Sequence, residues 1–354
     1  MHAALNRAED FCRRIGMQVP ILLAPMAGAC PVALSAAVAA GGGMGACGAL
    51  LMQPEEITGW ATAMRARSNG GFQMNLWIPD PAPTRDAEQE ATLRAFLSDW
   101  GPTPAADAPD APQPDFDAQC AAMLDAGPTA ISSIMGVYPP DMVTEMKQRG
   151  ILWFATVTTV AEARAAQAAG ADVIVAQGME AGGHRGAFRA EDAAISLVGL
   201  FSLLPAVVDA VDVPVVATGG IADARGVGAA LILGASAVQI GTGFLRAPEA
   251  GTAPAWADAL AVSAPEETIA TRTFSGRLGR ALRTPYVEAA EAGPDPAPYP
   301  VQRALTGPMR AQAAKSGDLA AMQAWAGQSA ARTSDEPAAR IVARLWQETQ
   351  TLLT

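Results

Sequence analysis

The sequence has 354 residues, half of them hydrophobic and 17% charged, with 35 acidic against 24 basic side chains for a net charge of −11. That apolar share suffices for one large core of roughly 250 residues with an appendage. The acidic balance argues against nucleic acid, whose phosphates need clustered Lys and Arg, and against an anionic membrane surface.

From the start of the chain, Met1–Cys12 carries acidic residues and no continuous apolar stretch, so a cleavable secretion signal is not expected. The stretch Val19–Met52 holds no charged residue, long enough to suggest a membrane span. However, Pro20, Pro25, Pro31 and the run Gly41-Gly42-Gly43-Met44-Gly45 break it. A buried strand–helix–strand unit fits better, and a cytoplasmic protein is expected. Cys12, Cys30, Cys47 and Cys120 show neither CxxC pairs nor metal-ligand spacing and read as reduced thiols.

Short apolar runs then alternate with Ala-rich helical patterns, the mark of parallel β/α units. The expected strands are Ile21–Ala24, Met44–Cys47, Phe72–Leu76, Thr129–Ser133, Leu152–Val157, Asp172–Gln177, Pro214–Thr218 and Ala237–Thr242. Val160–Ala169 is expected as a helix capped by Thr159, and Ala222–Leu233 as another, each followed by glycine. Eight strands, with no GxGxxG after the first, point to an α/β fold: a (β/α)₈ TIM barrel rather than an open doubly wound sheet. A Pro-rich insertion, 78–118, follows strand three and contains one helix, Asp86–Trp100. A barrel over 1–292 and a C-terminal helical extension over 293–354 are expected, the latter with helices at Val301–Gln328 and Pro337–Leu353.

The inventory removes several chemistries that a barrel could host. The two lysines, Lys147 and Lys315, sit in expected helices, so a Schiff-base site is disfavoured. Two histidines and no acidic cluster at strand ends leave no metal site to expect. Chemistry carried by an organic cofactor remains.

In such barrels function lies at the C-terminal strand ends. There, Thr218-Gly219-Gly220-Ile221 and Gly241-Thr242-Gly243 can cradle a phosphate, because glycine lets backbone N–H groups approach and a following helix N-terminus adds its dipole. Asn75 and Gln177 offer neutral amides suited to a flavin's alternating donors and acceptors, although either could instead tie two strands together. His184 lies in a Gly-rich loop, Gln177–Gly186, where it could act as base or hydrogen-bond donor.

At these residues a family likeness emerges. AQGMEAGGHRG (176–186), ILLAPMAG (21–28), FQMNLW (72–77), VVATGGIAD with GASAVQIGTGFL (215–245), FSGRLGRALR, PYPVQRALTGPMR and WAGQS resemble the nitronate monooxygenases, formerly 2-nitropropane dioxygenases, from Val19 to Gln328. The resemblance implies FMN at the barrel mouth. It puts flavin contacts on Ala24, Pro25, Met26, Asn75, Gln177, Gly182, Gly220, Gln239, Gly241 and Thr242, with Gly183 and Gly219 shaping the same loops. His184 matches the family's active-site histidine. The implied reaction is oxidation of an alkyl nitronate, and of nitroalkanes where the histidine removes a proton, by O₂ to a carbonyl compound and nitrite. Relatives that handle propionate 3-nitronate carry several pocket tyrosines, whereas this chain has three in all. An FMN-dependent NAD(P)H-linked reductase of the enoyl-ACP or quinone type is the alternative, and a flavin-carrying barrel without catalysis is a third.

Overall fold

The computed structural model describes residues 3–354. After helix α1 (Ala3–Ile15), parallel strands β1 (Ile21–Leu23), β2 (Gly45–Gly48), β3 (Phe72–Trp77), β4 (Ala130–Ile134), β5 (Leu152–Val157) and β6 (Val173–Gln177) follow one another. A two-residue strand, β7 (Gly183–His184), precedes the last two barrel strands, β8 (Val215–Thr218) and β9 (Ala237–Ile240). Eight of these form one sheet in the order β1-β9-β8-β6-β5-β4-β3-β2. A parallel bridge between Leu22 and Met44 joins its two edges, so the sheet closes into the expected (β/α)₈ barrel. Each expected barrel strand is present, shifted by one or two residues at its ends. The eighth ends at Ile240 rather than Thr242, because residues 242–244 coil into a 3₁₀ turn.

Helices α2 (Val32–Ala40), α3 (Pro54–Arg67), α4 (Ala87–Leu97), α5 (Phe116–Ala126), α6 (Pro140–Gln148), α7 (Val160–Ala168), α8 (Leu200–Val208) and α9 (Ala224–Ile232) lie between the strands. Local chemistry sets their starts. Thr159 and Glu162 form a reciprocal capping box on α7. Asp86, Asp115 and Asp223 each accept backbone N–H bonds at the first turns of α4, α5 and α9. The helix expected from Ala222 therefore begins two residues later, behind its Asp223 cap.

Phe11, Cys12 and Ile15 of α1 join Leu22, Met44, Phe154, Val173 and Val216 in one buried cluster, so α1 stoppers the barrel's N-terminal end. The opposite end is left for a site. Beyond β9 come α10 (Pro254–Val262), β10 (Thr268–Thr271), β11 (Gly279–Leu282), α11 (Pro285–Glu291), α12 (Val301–Leu305), α13 (Gly307–Ser316) and α14 (Ala338–Leu353). The single helical stretch expected over Val301–Gln328 is broken. Pro308 restarts it as α13, and Gly317, at φ +72°, ends it in a left-handed cap.

α14 packs against α2 and α9 and buries Ile341, Val342 and Leu345 in the main core, filling the eighth place in the helical ring. A separate core gathers Leu93 and Leu97 of α4 with Phe274, Tyr286, Val301, Leu305 and Met309. The insertion and residues 274–322 thus pack together as a cap, and the boundary expected at 292 falls inside it. Strands β10, β11 and β7 form an antiparallel sheet that nothing in the sequence pattern announces. Among the described residues no helix is long and apolar enough to cross a membrane.

Candidate active site

A cavity of about 850 Å³ opens at the C-terminal ends of the strands. All thirteen expected site residues line it: Ala24, Pro25, Met26, Asn75, Gln177, Gly182, Gly183, His184, Gly219, Gly220, Gln239, Gly241 and Thr242. One constellation thus collects residues spread over more than two hundred positions of sequence.

The glycines are there for close approach. Gly219 and Gly220 sit at φ +115° and +67°, which L side chains rarely adopt. A Cβ on Gly220 would lie 3.1 Å from Glu180 Cβ, and one on Gly182 would lie 2.5 Å from Gly327 N. The C-terminal segment 327–329 reaches both loops: Gly327 N donates to Thr242 Oγ1 at 3.0 Å, and Ser329 Oγ donates to Gly220 O at 2.6 Å. The expected helix dipole is another matter. Asp223 caps α9 by accepting from Gly226 N, and a 3₁₀ turn follows β9, so the cradle is made of loop backbone rather than a free helix end.

The amides divide. Gln177 Nε2 donates to His184 O at 3.0 Å while its Oε1 accepts from Gly186 N at 2.8 Å. Its side chain therefore braces the histidine loop, the strand-tying role left open by the sequence. Asn75 Nδ2 donates to Ser132 O and Oγ. Gln239 Oε1 accepts from Gln73 Nε2 at 2.9 Å within the barrel, which fixes the orientation of its amide.

His184 is in a strand rather than a loop: β7 pairs with β11, His184 opposite Gly279. Its Nε2 lies 2.7 Å from Ser275 Oγ, and Ser275 Oγ also donates to Arg277 O at 3.2 Å. The ring stands between two tryptophans, with centroids 4.6 Å from Trp77 and 4.8 Å from Trp325, and Tyr299 packs on Trp77 at 5.2 Å. Burial, followed by the positive fields of Arg277, Arg303 and Arg310, pushes the imidazole pKa down to about 3. At neutral pH it is uncharged.

Arg303 and Arg310 also line the cavity. Arg310 is held by Thr306 Oγ1, Gln323 Oε1 and Arg303 O, with its pKa lowered to about 10 by burial and by Arg303. These groups make the cavity's local field positive although the chain is acidic overall. Trp77, Trp325, Ser275, Arg303 and Arg310 escaped the list of candidates read from sequence. Trp77 and Trp325 stand inside the motifs FQMNLW and WAGQS, and that signal was available. Ser275 and the arginines lie some ninety or more positions from His184, with no spacing to tie them to it.

The cavity suits a flavin nucleotide. Its volume lies within the range of cofactor pockets, roughly 300–1,000 Å³, and one end is a cradle that a single Cβ would fill. The sequence matches the nitronate monooxygenase family over residues 11–348. It is 35% identical over 341 residues to a nitronate monooxygenase of Paraburkholderia phytofirmans, covering 94% of this chain and 93% of that one. Among solved structures, the nitroalkane oxidase of Streptomyces ansochromogenes is similar with a TM-score of 0.86 and 35% identity, over 96% of this chain and 98% of that one. The FabK of Thermotoga maritima is more distant, with a TM-score of 0.76 and 26% identity, over 97% and 96%. With the family matched across nearly its whole length, this chain belongs to the nitronate monooxygenase family of oxidoreductases, for which a flavin is the implied cofactor.

Proposed function

We propose that this protein holds FMN and oxidises alkyl nitronates with O₂ to a carbonyl compound and nitrite. One observation carries the reading furthest: an uncharged His184 between two tryptophans, in a cavity made positive by Arg303 and Arg310. Such a field favours an anion over its neutral conjugate acid. A base whose conjugate acid has a pKa near 3 is too weak to take a carbon-bound proton at neutral pH. The pre-formed nitronate is thus the substrate, and His184 orients it by hydrogen bonding rather than deprotonating a nitroalkane.

Gly182, Gly183, Gly219, Gly220, Gly241 and Thr242 would surround the FMN phosphate. Ala24, Pro25, Met26, Asn75, Gln177 and Gln239 would lie toward the ring. When bound, FMN supplies the electron acceptor that side chains cannot provide. The protein's own part is to fix the anion against the ring and to exclude bulk water, through Trp77, Trp325 and the cap. The purified protein is expected to be yellow with about one releasable FMN per chain. A colourless preparation that also fails to take up added FMN would contradict the reading.

A further inference from the structure

Beside the main cavity lies a second, smaller one of about 170 Å³, and Leu50 and Trp77 line both. Its inner wall is apolar: Leu50, Leu76, Trp77, Ile78, Phe116 and Tyr299. Its outer wall is the insertion, where Pro79, Pro81, Pro83 and Pro114 hold the backbone stiff. The pocket opens outward among exposed Pro79, Pro81 and Gln113. Asp80 is the one charged residue on its wall, and its carboxylate is paired bidentately with Arg277. The partition is firm. Gln119 Nε2 donates to the carbonyls of Ala49, Leu50 and Met52, pinning the Leu50 loop, while Trp77 is packed between His184 and Tyr299.

We propose that this pocket is the docking site and entrance for dioxygen, with Trp77 and Leu50 as the partition through which it reaches the bound nitronate. The inference rests on the functional reading above. O₂ is a small, uncharged, apolar reactant that must arrive while the first substrate stays in place. The main cavity is lined by Arg303, Arg310, His184 and Gln323 and is suited to an anion that then blocks it. The side pocket has the opposite chemistry and reaches the same wall. Apolar cavities of roughly 150 Å³ stay dry and take up xenon, so this one is large enough for O₂.

Gln113→Trp, at an exposed position on the pocket's rim, places an indole over the mouth without touching the main cavity. With the FMN-loaded enzyme and a saturating small nitronate, kcat/KM for O₂ should fall by roughly tenfold while kcat/KM for the nitronate stays within about twofold. Xenon-pressurised crystals of the wild-type protein should show a xenon atom beside Trp77. Unchanged O₂ kinetics in an active variant, or an empty pocket under xenon, would overturn the route. So would a loss that appears in nitronate kcat/KM and grows with alkyl length, which makes the pocket a tail site. Absence of nitronate-dependent O₂ uptake by the wild type would instead overturn the functional reading, and the assigned occupant with it.

Discussion

At His184 the question is where a proton resides. A ring with a pKa near 3 stays neutral through the physiological range, so kcat/KM for a nitronate should show no inflection near the ordinary histidine value of about 6.5. A break in the pH profile between about 6 and 7 that vanishes in His184→Asn would contradict this. The same variant should lose activity about equally on nitronate and on the parent nitroalkane, because only a hydrogen bond is removed. A base role would instead cost the nitroalkane some 10² to 10⁴ more. Gly220 poses a different problem, one of space and charge. Gly220→Asp would put a side chain at φ +67° against Glu180 and a second carboxylate in the phosphate cradle. FMN affinity, read by absorbance titration, should drop by at least about 100-fold, and unaltered binding would remove Gly220 from the cradle. These glycines could be read from sequence because a backbone that must approach closely leaves a chemical trace. Gln177 could not be read so fully. Its amide type was clear, but only the fold shows it turned to His184 O and Gly186 N.

Among elements, the three-stranded sheet does the positioning. β7 is two residues long and meets β11 almost a hundred positions later, so no periodicity betrays it. The repeating barrel strands, by contrast, were legible because each is an apolar run closed by a turn signal. The cap was half legible: its helices had patterns, but its partners had none. Two tests follow from its attachments. Gly327→Val would drive a side chain toward Glu180 O, which a Cβ already approaches at 2.9 Å, and would push segment 327–329 away from Thr242 and Gly220. Weaker FMN binding with the barrel still folded by circular dichroism is the expected outcome, and full FMN affinity would show that the segment only covers the site. Arg277→Leu strands Asp80 without its bidentate partner and should cost about 3–5 kcal/mol of stability, as loss of one member of a buried pair does. A thermal midpoint within a degree of wild type would contradict that weight.

For the whole molecule, closure of the barrel depends on its last element. α14 stands between α2 and α9 and buries Leu345 at 1% exposure, so Leu345→Ala should destabilise the entire barrel by about 2–5 kcal/mol. Chemical denaturation would show it as a lowered midpoint with an unchanged slope. An acidic chain with a positive cavity also sets the choice of substrate, because the field that matters is local to Arg303 and Arg310. The most direct test of the account is a nitrite assay on the FMN-loaded protein, run in an oxygen electrode with a pre-formed alkyl nitronate. Nitrite should appear with concurrent O₂ uptake and without added nicotinamide, and NADH should leave the anaerobic flavin oxidised. Bleaching of the flavin by NADH, with no nitrite from any nitronate, would contradict the account and assign the site to a reductase.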